Sequence, residues 1–159
     1  MKEAITGFLV NFPFFASLNT EELGFVAEHL HFLEVNPDHV LFKEGEKGDS
    51  VYFVIDGELE VIKESVSGRR VGVDKVVIAS LTKGRSIGEM SVIDNTPRSA
   101  TVRTITRSTM VALSMGGFDL ILEEYPRIGI KILKGIARLL STNLRKTSSQ
   151  FADHMLVTS

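Results

Sequence analysis

The pattern of apolar residues changes twice along this 159-residue chain, and the change narrows the possible folds more than any other feature. Helical spacing gives way at about residue 30 to short apolar runs between glycine turns, and helical spacing returns at about residue 115. Evenly spaced short strands between turn residues are typical of sandwiches and rolls. We therefore predict a single, mostly β domain over 1–159. It comprises N-terminal helices in 1–30, a β-sandwich or β-roll in 31–114 and C-terminal helices in 115–156.

Local signals mark the ends of several elements. Asn19-Thr20-Glu21-Glu22 has the composition of a capping box, which predicts a helix from there to about Leu30. Asp56-Gly57 predicts a hairpin between strands at 51–55 and 58–62, and a looser hairpin loop is predicted around residues 67–70. Tyr125-Pro126 predicts a helix break followed by a long helix.

Composition narrows the class of protein. The chain is 43% hydrophobic and 24% charged, which is ordinary for a globular protein, and no apolar run approaches the ~20 residues of a membrane helix. It contains no cysteine, so disulfides and thiolate metal sites are excluded. Its net charge is −2 and it has no basic run, which argues against a nucleic-acid surface. We expect a cytoplasmic protein that binds neither membranes nor DNA directly.

A glycine turn, a carboxylate and an arginine lie close together in residues 87–102. Ile87-Gly88-Glu89-Met90-Ser91 is followed, after a short helix-sized insert, by Arg98. A glycine turn that opens a helix frees backbone N–H groups and favours an anion, and the guanidinium fork suits phosphate oxygens. A glutamate beside that anion makes sense if it accepts hydrogen bonds from ligand hydroxyls. These features together indicate a ribose phosphate.

The same residues resemble the cyclic nucleotide-binding domain family, which includes the bacterial catabolite activator protein, the regulatory subunits of cyclic-AMP-dependent kinase and nucleotide-gated channels. The matches to its phosphate-binding cassette are Gly88, Glu89, Ser91, Val92, Arg98, Ser99, Ala100 and Val102. A second signature of the family appears as Leu41-Phe42, Gly45, Gly48-Asp49, an apolar strand at 51–55 and Gly57. We assign these three glycines to turns that need positive φ. The resemblance runs from about Phe12 to about Arg145, and it implies a jelly-roll-like β-roll over 31–114 flanked by helices.

The resemblance implies roles for individual residues. Arg98 would contact the exocyclic phosphate oxygens, and Glu89 would accept a hydrogen bond from the ribose 2′-hydroxyl. The further contacts would be backbone N–H groups of Gly88, Met90 and Ser91, the Ser99 hydroxyl and the Ala100 amide. Strand alternation makes Val61, Ala79 and Leu81 either pocket wall or plain core. Asn143 on the last helix either faces the purine or is an exposed helix residue.

The ligand that the resemblance implies is cyclic AMP, because Ser99 after the arginine resembles the bacterial cyclic-AMP receptors. Cyclic GMP, or another small effector on the same fold, remains an alternative. We expect no cofactor and no catalytic activity. A cupin-type metal enzyme is a further alternative, since His29-Leu30-His31 with Glu34 superficially resembles a metal triad.

The last helix carries a heptad pattern. Its seam comprises Leu133, Leu140, Thr147 and His154 together with Ala137, Leu144 and Phe151. Such a seam is suited to a two-stranded coiled coil and predicts a homodimer, although it could pack on the domain's own sheet instead. In the family this helix closes over the purine, so its movement would signal to the dimer mate or to an unknown downstream protein. Catabolite-activator-like members of the family continue into a helix-turn-helix DNA-binding domain. No second helical pair or basic recognition helix follows Arg145 in this sequence, so we expect either a stand-alone sensor or a fragment of a longer protein.

Overall fold

A computed structural model describes residues 2–65 and 74–158. The helices are α1 (Lys2–Leu9), α2 (Thr20–Ala27), α3 (Ser91–Asp94), α4 (Met115–Glu124) and α5 (Pro126–Thr158), with a 3₁₀ turn at Pro13–Phe15. The strands are β1 (Leu30–Val35), β2 (Val40–Phe42), β3 (Ser50–Asp56), β4 (Leu59–Ser65), β5 (Asp74–Leu81), β6 (Ser86–Ile87), β7 (Thr101–Thr104) and β8 (Ser108–Ser114).

These strands form two antiparallel sheets. The first has the order β1-β8-β3-β6 and the second the order β2-β7-β4-β5, so strands adjacent in sequence are often in different sheets. Helices flank the sheets at both ends of the chain. The predicted β-roll with flanking helices is therefore confirmed.

The predicted hairpin at Asp56-Gly57 is wrong. β3 pairs with β6 and β8, whereas β4 pairs with β5 and β7, so this turn carries the chain from one sheet to the other. The local turn signal is real, since Gly57 has φ +105°, but it does not decide which strands pair. β4 and β5 do form an antiparallel hairpin, and its loop around residues 67–70 lies outside the described residues.

The core has two parts that share β3. Val51, Phe53 and Ile55 point towards the helices, where Phe53 contacts the rings of Phe12, Phe14 and Phe15 at centroid distances of 5.0–5.1 Å. Val54 on the opposite face packs between the sheets with the inward residues Phe42, Leu59, Leu81, Ile87, Val102 and Met110. β3 is therefore buried on both faces, as is its neighbour β8, whose Met110 and Val111 belong to the two parts of the core.

The capping box is confirmed. The Asn19 side chain accepts a hydrogen bond from the Glu22 N–H and the Glu22 carboxylate accepts one from the Asn19 N–H. α2 ends at Ala27 rather than near Leu30, because Leu30 begins β1 and pairs with Leu113. Lys131 on α5 donates to both Glu22 carboxylate oxygens and thereby lowers the pKa of Glu22.

The two halves of α5 have different environments. Ile128, Ile132 and Ile136 repeat at helical spacing and are buried against the helical core. Every side chain from 141 to 156 is exposed. No helix within the described ranges 2–65 and 74–158 is long and apolar enough to span a membrane. The cytoplasmic location stays a prediction.

Candidate functional site

A cavity of about 230 Å³ opens where β6 and α3 meet the second sheet. One side consists of the residues around the predicted cassette, and the other consists of inward-facing strand side chains. The lining residues are 86–91 and 96–100 together with Phe42, Val61, Leu81 and Val102. Polar backbone and apolar walls in one concavity are typical of small-molecule sites.

The backbone around the cavity is shaped by two residues in left-handed conformations. Gly88 has φ +82° and turns the chain from β6 towards α3, and Asn95 has φ +55° and ends α3. The chain then returns to the second sheet through Arg98. The Arg98 N–H donates to the Glu46 carbonyl (2.7 Å), and its carbonyl accepts from the Gly45 N–H (2.8 Å). The segment before β3 thus holds the arginine backbone on both sides.

The Arg98 side chain is 5% exposed and lies at the cavity wall. Its Nη2 donates to the Ser50 carbonyl (2.8 Å) and its Nη1 donates to the Ser91 hydroxyl (3.3 Å). Its Nε has no hydrogen-bond partner among the described residues. Burial lowers the pKa of the guanidinium, which nevertheless stays charged because its ordinary pKa is so high. The site therefore presents a desolvated positive charge with donors to spare.

Glu89 lines the same cavity. Burial raises the pKa of its carboxyl above the ordinary value, and the nearby Arg85 opposes this shift without cancelling it. A partly desolvated carboxylate is a strong hydrogen-bond acceptor. A guanidinium donor and a carboxylate acceptor therefore line one cavity.

Two glycines let the backbone approach the arginine closely. A Cβ on Gly88 would lie 2.1 Å from Arg98 Nη1, and a Cβ on Gly48 would lie 2.2 Å from the Ser91 hydroxyl and 3.1 Å from Arg98 Nε. The assignment of Gly48 to a positive-φ turn is wrong, because its φ is not in the left-handed region. Space beside Ser91 and Arg98 is what requires glycine there.

The structure brings together most of the predicted site residues. The seven cassette residues Gly88, Glu89, Met90, Ser91, Arg98, Ser99 and Ala100 all line the cavity, as do Val61 and Leu81. The Ser91 N–H already donates to the Gly88 carbonyl. The Ser91 hydroxyl, which accepts from Arg98, is therefore better placed than the N–H to donate to a ligand. The contacts of these residues with a ligand stay predictions.

Ala79 and Asn143 are outside the cavity lining. Ala79 lies on β5 and pairs with Val61 of β4. It is half-buried and is not among the residues that line the cavity. Asn143 lies in the exposed half of α5, so this helix does not cover the cavity in the present conformation.

Phe42, Thr96 and Pro97 line the cavity without having been predicted to do so. Strand alternation does not single out Phe42, because Val40, Leu41 and Phe42 are all apolar; the structure shows that Phe42 is buried and Leu41 is more exposed. Nothing in the sequence alone distinguishes Thr96 and Pro97 from ordinary loop residues.

The alternative metal triad of His29, His31 and Glu34 does not form a metal site. Glu34 accepts from Arg107 on the outer side of β1, His31 is exposed and the His29 ring is hydrogen-bonded to the Phe25 carbonyl. Within 2–65 and 74–158, no three histidine or carboxylate side chains converge as metal ligands.

Known proteins share both the sequence pattern and the fold. Residues 32–125 match the model of the cyclic nucleotide-binding domain family. A lysophospholipase of Chaetomium globosum is 35% identical over 108 residues, which make up 68% of this chain and 7% of that protein. The cAMP-dependent protein kinase regulatory subunit of Yarrowia lipolytica is 34% identical over 116 residues, 73% of this chain and 29% of that protein. The chain thus spans a minor part of these relatives.

A solved structure agrees with this result. The crystal structure of a cyclic nucleotide-binding domain from Methylobacillus flagellatus KT has a TM-score of 0.77 and 27% identity to this chain, covering 86% of this chain and 74% of that one. The family match covers more than half of this chain and includes the whole cavity lining. The chain therefore belongs to the cyclic nucleotide-binding domain family.

Proposed function

We propose that this chain is a sensor that binds cyclic AMP in preference to cyclic GMP. The observation that carries the proposal is that the buried Arg98 guanidinium and Glu89 line one cavity. A cyclic phosphate carries one negative charge for the arginine, and the ribose keeps a 2′-hydroxyl for the glutamate. The site is proposed to bind its nucleotide rather than to transform it.

The preference for cyclic AMP has two supports. Ser99 follows the arginine, as in bacterial cyclic-AMP receptors, and it lines the cavity. The similar kinase regulatory subunit of Yarrowia lipolytica is named as cAMP-dependent.

Calorimetric titration with cyclic AMP, cyclic GMP and AMP tests the proposal. We expect the tightest binding for cyclic AMP. Arg98→Ala should weaken it by about tens-fold or more, because a buried charge contact is lost. The matched control is Arg107→Ala, which removes an exposed arginine paired with Glu34 and should leave affinity unchanged. Equal affinity for AMP, no binding of either cyclic nucleotide, or conversion of the nucleotide during the titration would contradict the proposal.

We further propose that ligand binding changes the position of α5. The helix is anchored by Ile128, Ile132 and Ile136, whereas residues 141–153 are exposed, so a movement of this half towards the cavity would leave the anchor in place. A ligand that contacts the helix in one position favours that position in proportion to its differential affinity. Amide exchange measured with and without cyclic AMP should show new protection within residues 137–150. Identical exchange patterns in the two states would exclude this movement.

The exposed half of α5 also supports a homodimer. Leu144 and Phe151 of the predicted seam are 67% and 65% exposed, an unusual state for large apolar side chains. In a parallel pair these residues would face their counterparts, and the helix would join the two cavities to one interface. Sedimentation should show a dimer that Leu144→Lys with Phe151→Lys dissociates, with no change in the thermal unfolding of the β-roll. A wild-type monomer at high concentration would overturn this part.

A further inference from the structure

We propose that Phe42 is a positioning residue, which orients Arg98 for the ligand phosphate by placing its aromatic face against the guanidinium. Phe42 is the last residue of β2 and points into the core between the sheets. The Arg98 Cζ lies 4.1 Å from the centroid of the Phe42 ring. Tyr52 on β3 lies farther away, at 5.8 Å, and its ring is stacked on that of Phe42. The inference deepens the proposed function and rests on it for its ligand.

The electrostatic environment of Arg98 is the first step of the argument. The ion pairs among the described residues join other side chains, and none involves Arg98. Asp49 and Glu46 act on it from longer range. A buried charge without a partner is strongly disfavoured, and an aromatic face is one of the few groups that compensates it. Phe42 provides that face at close contact.

The second step concerns the hydrogen-bond donors of Arg98. A carboxylate in this place would neutralise the guanidinium and occupy the N–H groups that a phosphate needs. An aromatic ring contacts the face of the guanidinium and occupies none of its in-plane donors. The unpartnered Nε agrees with this arrangement. Phe42 therefore holds the cation in place and keeps it available to an anion.

The third step is that Arg98 is confined by more than one group. Gly88 approaches so closely that a Cβ there would lie 2.1 Å from Nη1. The guanidinium thus contacts the Gly88 backbone as well as the Phe42 ring, and its two hydrogen bonds fix its rotation. A side chain with several rotatable bonds is thereby ordered before the ligand arrives, which reduces the entropy lost on binding.

Fluorinated phenylalanines at position 42 separate this role from simple packing. Each added fluorine withdraws electron density from the ring face while the ring shape stays nearly constant. We expect the affinity for cyclic AMP to fall stepwise from one to three fluorines. Phe42→Leu should weaken binding by about tenfold or more, as expected for loss of a desolvated cation–π contact. The same series at Phe32, a half-exposed residue of β1, is the control and should leave affinity unchanged.

A second measurement needs no ligand. Protons above an aromatic face resonate upfield, so the guanidinium N–H signals of Arg98 should be shifted upfield in wild type and should lose this shift in Phe42→Leu. If wild type binds cyclic AMP and the affinity does not change across the fluorinated variants at position 42, the role of Phe42 is refuted and the proposed function stands. Absence of nucleotide binding in wild type would refute the proposed function, and the resonance would still decide the Phe42–Arg98 contact. An unshifted resonance in wild type would also refute the contact. If Phe42→Leu does not fold, the fluorinated variants and the wild-type resonance give the answer.

Discussion

At the scale of residues, the site contains two ionisable side chains whose burial lowers the stability of the free protein and which have hydrogen-bonding capacity left for a ligand. Arg98 is buried with an unpartnered Nε, and the pKa of Glu89 is raised by burial. Both groups are disfavoured in the free protein and would gain partners from a nucleotide. Perturbed ionisable groups in a cavity are frequent at functional sites.

Glu89→Gln should stabilise the free protein at neutral pH and weaken nucleotide binding. A carboxyl with a raised folded pKa contributes stability below its unfolded pKa and loses it as pH rises through the folded pKa, so the neutral amide removes this loss. Binding should weaken by about tenfold, because the neutral amide oxygen of glutamine accepts a weaker hydrogen bond than the charged carboxylate. In wild type, affinity should fall as pH decreases through the raised pKa of Glu89.

Chemical denaturation and calorimetric titration across this pH range measure the two effects. Glu123→Gln, on the exposed side of α4, serves as the control and should change neither quantity. A Glu89→Gln variant that is less stable than wild type at neutral pH would contradict the burial argument.

Gly88→Ala should reduce both stability and affinity, whereas Gly84→Ala should reduce stability alone. Both glycines have φ near +90°, at +82° and +91°, so alanine is strained in both by about 1 kcal/mol or more. Only the Cβ at position 88 meets Arg98, while position 84 opens to free space. Affinity should fall about tens-fold in Gly88→Ala and stay within about twofold in Gly84→Ala. Equal affinities of the two variants would show that the Gly88–Arg98 approach is unimportant.

At the scale of elements, α5 is held to the body of the protein by its first half. Ile128, Ile132 and Ile136 fill the helical core, and Gly135 lets the helix approach the 3₁₀ turn at Pro13–Phe15. The salt bridge between Lys131 and Glu22 is partly exposed and contributes about 1 kcal/mol at most. Packing therefore determines where α5 starts, and its second half is left exposed.

Gly135→Ala should destabilise the protein by about 1–3 kcal/mol, because its Cβ would lie 2.7 Å from the Pro13 carbonyl and 2.8 Å from the Phe14 carbonyl. Gly116→Ala in α4 is the matched control, since its Cβ would meet nothing within 4 Å. It should stabilise by up to about 1 kcal/mol through reduced freedom of the unfolded chain. Urea unfolding with an unchanged m-value measures both changes. Stabilisation by Gly135→Ala would mean that α5 shifts freely.

At the scale of the whole molecule, β3 connects the helical layer to the site. Phe53 packs among three phenylalanines on the helical side, while the adjacent Tyr52 lies near Arg98 on the other. A strand buried on both faces transmits displacement from one layer to the other because close packing leaves little free volume.

Phe53→Ala should destabilise the protein by about 3–5 kcal/mol, since it leaves a cavity among rings that cannot collapse. Phe32→Ala, at a half-exposed position of β1, should cost about 1 kcal/mol or less. Denaturant unfolding of the two variants gives the comparison. Similar losses for both would show that the aromatic cluster is not central to the fold.

The sequence by itself determined the succession of a helical, a β and a second helical region, the capping box at Asn19, the break at Tyr125-Pro126 and the cassette around Gly88 and Arg98. These features depend on neighbours within a short stretch of chain, where capping, turn geometry and side-chain spacing act directly. Tertiary structure alone decided that β3 and β4 belong to different sheets, because strand partners are chosen by which faces are buried. It also decided that Phe42 meets Arg98 and that Asn143 lies away from the cavity, since both depend on packing between segments distant in sequence.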